Sequence, residues 1–505
     1  MSAGARRAGW IWLAVVFVVL AAFAAASRQP AFAGLQYAIQ RTPDLTPSSL
    51  ALPPQERASG APVVSLYVEP ADLYDPSSGM LANVMKHGRA WERPGWVTFY
   101  DGGRITYSGR AGVRVHGGGS RLSRDPQSFR LLFRKKYGSR ELPAGIAFSG
   151  AHAHPLRRLV IHNDMRVAQG GMRWHFVNPL AYDIASAAGG ITPATRPVRF
   201  FLNGEFQGVY VLAEHFDPER FFERHWGHAA RLNNAEFDEL WQQVKALQPL
   251  TMRTVGPLVD LDNLTRWFIS VVFCNTRDAF QGPGQFRDPT RSSAQWFFVN
   301  WDMDESFRVV DADTFDALLE KPGRRRGRRA NEPRPRIMTT LLTRDPEYRA
   351  YFARVWVDVM NHAITPAFLR ERYQHYADTA VALGVPDLAY LKPLKAFLDA
   401  RPAIVRAQAE QRLGTGPSLR FRVSGSQPVL IDGHRVEPGW EGYYFPGMEV
   451  GVEVPEGKRG AFRGWRINGA ARPEAALTLV ARADTVIEAV GAGELQQPAA
   501  SPTTR

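Results

Sequence analysis

The chain has 505 residues, 45% of them apolar and 22% charged, with a formal net charge of +13. That length supports more than one core, and that balance excludes a disordered chain. Cys274 is the single cysteine, so no intrachain disulfide can form and stability must come from core size. In chain order, basic Met1–Arg7, uncharged Ala8–Ala26 and the small-x-small stretch Ala31-Phe-Ala33 read as an export signal at 1–33 or an uncleaved membrane anchor. Both readings put the protein outside the cytoplasm, secreted or tethered. Residues 34–60, rich in Pro, Ser and Thr, are expected to be a linker.

From Val63 the texture is β. Val63–Val68, Trp96–Tyr100, Gly112–His116 and Ser128–Arg134 are apolar or alternating runs separated by Gly and Asp. Helical spacing follows over Arg173–Ala188. Val198–Leu202 and Gly208–Leu212 then flank Asn203-Gly204, a strong hairpin signal. Past Asp217 the pattern is helical through Leu261–Phe273 and returns to strand at Gln295–Asn300. Tyr348–Met360, Pro366–Leu383 and Pro393–Leu413 are again helical. The composition shifts once more near Ser418. Residues 415–491 read as a small all-β, sandwich-like domain, with Trp465 its expected core plug, and 492–505 as a disordered tail.

Asn300-Trp-Asp-Met-Asp-Glu-Ser-Phe307 closes the apolar run at Trp296–Val299. On an extended backbone Asp302 and Asp304 would point the same way, and like charges that close call for a cation. An Asp-x-Asp at a strand end suits Mg²⁺, which commonly arrives with nucleotide phosphate; the competing reading is an Asp-rich turn. Gly112-Val-Arg-Val-His-Gly-Gly-Gly-Ser-Arg121 runs from a strand into a glycine-rich loop flanked by arginines, a pattern that suits phosphate oxygens. Phe201–Glu214 is a hairpin ending on Glu214, and Asn275-Thr-Arg-Asp278 follows an apolar helix, where Asp278 would be placed to orient a hydroxyl nucleophile. His152, His154 and His162 lack carboxylate or Cys partners at ligand spacing and read as ordinary loop residues. The net positive charge lacks the aromatic-interleaved stripe of a nucleic-acid binder, so anionic envelope surfaces are the expected partner. The basic run Arg324–Arg329, between Pro322 and Pro333, reads as a solvated loop.

Taken in order, these segments resemble the CotH-type spore-coat kinase family. The resemblance is carried by Ser65-Leu-Tyr-Val68, Trp91-Glu-Arg-Pro94, the Arg114–Arg121 loop, Ser128-Phe-Arg-Leu131 with Tyr137-Gly138, Asn203-Gly-Glu205 to Glu214, Trp301-Asp-Met-Asp304 and Phe397-Leu-Asp-Ala-Arg401. It implies an α+β fold, atypical and protein-kinase-like, with a β-rich lobe at 61–216 and a helical lobe at 217–413. It also implies transfer of the ATP γ-phosphate to Ser or Thr of exported proteins, with Mg²⁺ or Mn²⁺. Carried over by residue, Asp278 and Asp302 would be catalytic, and Asp302, Asp304 and Gln285 would face the metal. Glu214 would lie at the hinge against adenine, with Arg114, Ser120, Arg121 and Arg130 near the phosphates.

The chain departs from the family at the expected lysines, which are Pro126, Gln127 and Leu132 here, and at the second metal position, where Gln281 and Gln285 stand. Two readings therefore stay open, an extracytoplasmic kinase and a degenerate nucleotide-binding or scaffold protein of envelope or coat assembly. A glycosidase is disfavoured, because Asp302 and Asp304 are too close to flank a glycosidic bond.

Overall fold

The computed structural model describes residues 52–122, 127–167, 172–216, 221, 231–232, 236–276, 285–287, 295–319, 333–456 and 462–491. Its first unit is a closed barrel. Strands β1 (Val63–Val68), β2 (Arg93–Asp101), β3 (Arg104–His116), β4 (Ser128–Leu132) and β5 (Arg158–His162) are followed around it by Glu205–Glu214 and Thr195–Leu202. The last of these closes onto β1 in parallel, while every other pair is antiparallel. The period of two sorts the side chains. Val113 and Val115 of β3, Phe129 and Leu131 of β4, and Leu159 and Ile161 of β5 fill the barrel. The residues between them, including Arg114, His116 and Arg130, therefore face outward.

The hairpin expected at Asn203-Gly204 is present, and both residues take positive φ, 50° and 85°. Asn203 does more than turn. Its side-chain oxygen accepts from the Val68 amide at 2.8 Å and its amide donates to the Val68 carbonyl at 2.8 Å, pinning the hairpin to β1. The linker expected over 34–60 is ordered by its described end: Pro54–Ala58 is helical, and Glu56 pairs with Arg199 at 2.8 Å.

Mixed α/β architecture follows. Helix Val177–Ala187 begins four residues later than the periodicity predicts, because Phe176 takes φ 60° and starts the turn there. Helix Leu261–Cys274 is buried on nearly all sides, its first turn capped by the Asp260 carboxylate accepting from Asn263 N at 3.0 Å. The Asn263 side chain then grips strand Trp296–Phe298, accepting from Phe298 N at 2.6 Å and donating to Phe298 O at 3.0 Å. Helices Pro346–Asp358, Pro366–Ala382 and Leu391–Leu413 pack around this pair.

Beyond Leu419 the strands form two sheets. One has five strands in the order Glu441–Tyr444, Leu419–Ser424, Thr485–Gly491, Phe462–Ile467, Ala470–Arg472. The other has four, His434–Val436, Val429–Ile431, Glu449–Glu453 and Ala476–Val480. Trp465 is buried, with its indole N–H donating to Glu474 O at 2.7 Å, the core position expected of it.

Candidate active site

The Asp-x-Asp lies past the end of its strand, not on it. Strand Trp296–Phe298 ends before Asn300, and Asp302 takes φ 58°, so the alternation expected of an extended backbone fails there. The segment is held from several sides instead. Asn300 N donates to Ile191 O at 2.8 Å and its side chain to Ser270 Oγ at 2.8 Å. Asp302 N donates to the Tyr182 hydroxyl at 3.3 Å, Trp301 packs edge-on against Phe216, and Met303 is buried. Buried Arg166 donates to Asp304 O at 3.0 Å and Ser306 O at 2.6 Å. The left-handed turn is thus held by its surroundings, and the period of two does not run through Asp302.

The loop is also tied to the end of helix Leu261–Cys274. Phe307 N donates to Cys274 O at 2.8 Å, and Thr276 Oγ1 meets Ser306 Oγ at 2.5 Å. Arg401, fully buried, donates to Phe273 O, Val272 O, Val310 O, Ala312 O and Thr314 Oγ1, which explains why an arginine stands at the end of the Phe397–Arg401 motif. Asp278 and Gln281 lie outside the described residues, as do Pro126 and the side chains of Ser120 and Gln285.

Another acidic residue acts on Tyr182 along with Asp302 and Asp304, and sequence reasoning passed over it. Asp164 follows β5 and is buried. Its Oδ1 accepts from Asn178 Nδ2 at 2.7 Å, its Oδ2 accepts from Asn178 N at 3.3 Å, and it lies 3.4 Å from His162 Nδ1. Asn178 and Tyr182 are one turn apart on the same helix, so Asp164 and Asp302 sit at neighbouring points along it. Burial pushes the Tyr182 phenol well above its usual value, and the charges of Asp302, Asp164 and Asp304 add to it. The signal in the sequence was only an Asp just past a strand end, in His162-Asn-Asp164.

The barrel face beside this acidic cluster is cationic. Arg114 and Arg130 are direct cross-strand neighbours on β3 and β4. They line a cavity of about 200 Å³ with Lys86, His87, Gly117 and Arg121. The three predicted arginines have different partners. Arg114 is held by the buried Glu92 carboxylate at 2.7 and 3.2 Å, which also takes Arg134, Lys136 and the Tyr137 hydroxyl. Arg121 donates to the carbonyls of Gly117, Val84, Lys86 and Val115, so it straps two loops together. Arg130 donates to His116 Nδ1 at 3.0 Å. Burial holds His116 well below 6.5, with the Arg130 charge adding to it, so it is neutral and can accept.

A continuous path of contacts links the two regions. Arg130 touches His116, whose ring lies 6.2 Å from that of His162, which faces Asp164; Asn178 and Tyr182 carry the path to Asp302. Glu214 ends its strand at the point where the chain leaves the barrel. Its side chain, buried, meets His154 Nε2 at 3.0 Å, giving His154 a carboxylate partner that its sequence spacing did not indicate. Among the described residues no three His, Cys, Asp or Glu side chains form a metal cluster. One or two carboxylates are nevertheless what Mg²⁺ takes from a protein when phosphates and water complete its shell, and Asp302 with Asp304 fits that chemistry.

The family model described as CotH kinase protein matches residues 113–246 and 231–384, more than half of the chain. No curated protein matches. Among solved structures, a Shewanella oneidensis MR-1 toxin–antitoxin complex of HipA, HipB and operator DNA is similar at 13% identity and a TM-score of 0.25, covering 57% of this chain and 64% of that one. The chain thus spans less than two thirds of that protein, and so weak a likeness carries no argument. The family match covers both the arginine-lined strands and the Asp302 loop: the chain belongs to the CotH kinase protein family.

Proposed function

We propose that this protein transfers the γ-phosphate of ATP to Ser or Thr of exported proteins, outside the cytoplasm, with Mg²⁺ or Mn²⁺. In this reading the barrel is the upper lobe of a kinase-like fold and the helical region the lower. The observation that carries it is the contact path from Arg130 to the Asp302 loop, which links a cationic sheet face to Asp164 and to that loop. Phosphoryl transfer is mostly positioning and charge neutralisation, and those two surfaces are its requirements. Asp302 and Asp304 would hold the metal, which when bound would neutralise charge on the transferring phosphate. Arg166 and Tyr182 fix the backbone of their loop. Glu214 marks the connection where a base would meet the hinge, and Asp278 would orient the acceptor hydroxyl.

The pseudokinase reading draws on one observation. Leu132 is buried and Lys136 is paired to Glu92, so neither supplies the expected nucleotide lysine. Labelled transfer from ATP separates the two readings, using the residue 34–505 protein and an Asp302→Ala variant. Label that appears with the wild type and falls at least about a hundredfold in the variant supports the kinase. Nucleotide binding without transfer supports the degenerate protein.

A further inference from the structure

We infer that Arg130 takes over the phosphate-holding role of the missing strand lysine, and that the cavity it lines accepts the terminal phosphates of a polyphosphate chain. The inference rests on the phosphotransfer reading above and names the cation of that site.

The alternatives are either engaged elsewhere or turned to solvent. Gln127 donates to Arg121 O at 2.8 Å and its carbonyl accepts from the Tyr210 hydroxyl at 3.1 Å. Lys135 is exposed in the short turn Lys135–Tyr137, and Lys136 in the same turn lies 3.0 Å from Glu92 and over the Tyr137 ring. Within the cavity, Arg114 is compensated by Glu92 and Arg121 by four carbonyls. Arg130 differs from both. No carboxylate among the described residues pairs with it, its Nε has no hydrogen-bond partner there, and its one bond goes to a neutral imidazole. Burial lowers its pKa to about 10, helped by the charges of Arg158, Arg114 and Arg121. A half-buried guanidinium without a counter-ion is costly, and an arriving anion offsets that cost.

The cavity suits such an anion. Its wall carries Lys86, His87 and Arg114 and no Asp or Glu. The planar fork of Arg130 matches phosphate oxygens bidentately, a geometry the ammonium of a lysine lacks. The chemistry shared by a nucleoside triphosphate and inorganic polyphosphate is a run of phosphates, and this wall offers several cations to it.

The test is calorimetric binding of ATP, tripolyphosphate and adenosine to the residue 34–505 protein and to Arg130→Gln and Arg130→Lys, with folding checked by circular dichroism. Arg130→Gln is expected to weaken ATP and tripolyphosphate by about tenfold or more and leave adenosine unchanged. Arg130→Lys is expected to fall between the two, and it carries the comparison if Arg130→Gln does not fold. Equal ATP and tripolyphosphate affinity in wild type and both variants overturns the role of Arg130 while leaving phosphotransfer intact. Tripolyphosphate binding that depends on Arg130, with no ATP or adenosine binding, keeps the site and overturns the nucleotide reading. A wild type that binds neither ATP nor tripolyphosphate overturns both.

Discussion

Glu92 shows how one side chain sets the charge of a whole surface. Its carboxylate has no exposed side-chain area, yet it gathers Arg114, Arg134, Lys136 and Tyr137. The approach is possible because Gly112 opposes it: a Cβ there would sit 2.6 Å from the Tyr137 ring and 2.9 Å from Glu92 Oε1. Burial alone would raise the Glu92 pKa, but the bonds from Lys136, Arg114 and Tyr137, with the Arg134 charge, hold it below its ordinary 4.5. A carboxylate with a lowered folded-state pKa contributes stability above its unfolded value and loses it as pH falls through that region. Glu92→Gln is therefore expected to cost about 2–3 kcal/mol at pH 7, less than breaking a fully buried pair because Arg134 and Lys136 reach solvent. Urea unfolding at pH 7 and pH 3 checks it: the gap between wild type and variant should shrink at the lower pH, and a gap independent of pH would refute the assignment. Residues of this kind mark the limit of the sequence. Trp91-Glu-Arg-Pro94 is recognisable as a family motif, but nothing local says that Glu92 will meet cations from β3 and the turn after β4. Asp164 is silent for the same reason, since its partner Asn178 is fourteen residues away on another element.

Elements with strong periodicity or turn chemistry were legible, and elements defined by tertiary contacts were not. The Asn203-Gly204 hairpin and the helix Leu261–Cys274 follow from local pattern, because a positive-φ dipeptide and a continuous apolar run each have few alternatives. Strand β5, whose basic ends Arg158 and His162 bracket three apolar residues, is too short to announce itself. The Asp302 loop misled because alternation was extended past the strand, whereas Tyr182 and Arg166 hold a left-handed turn there. A similar tertiary element joins the helical region to the last sheets. His362, in the π-turn Val359–Ala363, stacks on His434 at 4.1 Å and on Trp440 at 5.6 Å, with Asp358 bonded to His434 at 2.8 Å. Burial, then the His434 charge, lowers His362 to about 4, while Asp358 and Asp432 act in the opposite sense. Above pH 6.5 the stabilisation from this group is complete; between 6.5 and about 4 the unfolded chain takes a proton that the folded chain refuses, so stability falls. His362→Phe keeps a flat ring, and His362 Nε2 has no hydrogen-bond partner among the described residues to lose. The variant is expected to show a shallower loss of urea midpoint from pH 7 to pH 4, and parallel curves would show that His362 does not carry it.

At the scale of the whole molecule, the composition shift near Ser418 suggests an autonomous module, but the packing is continuous across it. Phe421, Val423, Tyr444 and Trp465 belong to the same buried apolar cluster as Trp267, Phe352 and Leu398. The seam is specific as well as apolar: the Asn361 side chain accepts from Tyr443 N at 2.9 Å and donates to Tyr443 O at 3.1 Å, and Arg406 lies 3.6 Å from the Tyr443 ring centre. Helix Leu391–Leu413 presses Arg406 into that seam while its Arg401 grips the end of helix Leu261–Cys274, to which the Asp302 loop is bonded. One helix therefore spans from the last sheets to the candidate site. Ending the chain at residue 416 strips the cover from that helix and from the π-turn, and exposed apolar surface of this kind drives association. The truncated protein is expected to unfold several degrees lower than the residue 34–505 protein, or to aggregate on purification, and to lose ATP-dependent labelling in parallel. Differential scanning fluorimetry with a transfer assay on both proteins decides it. A truncated protein with an unchanged melting temperature and full labelling would establish that the final sheets are an independent attachment and that the long helix holds Arg401 in place without them.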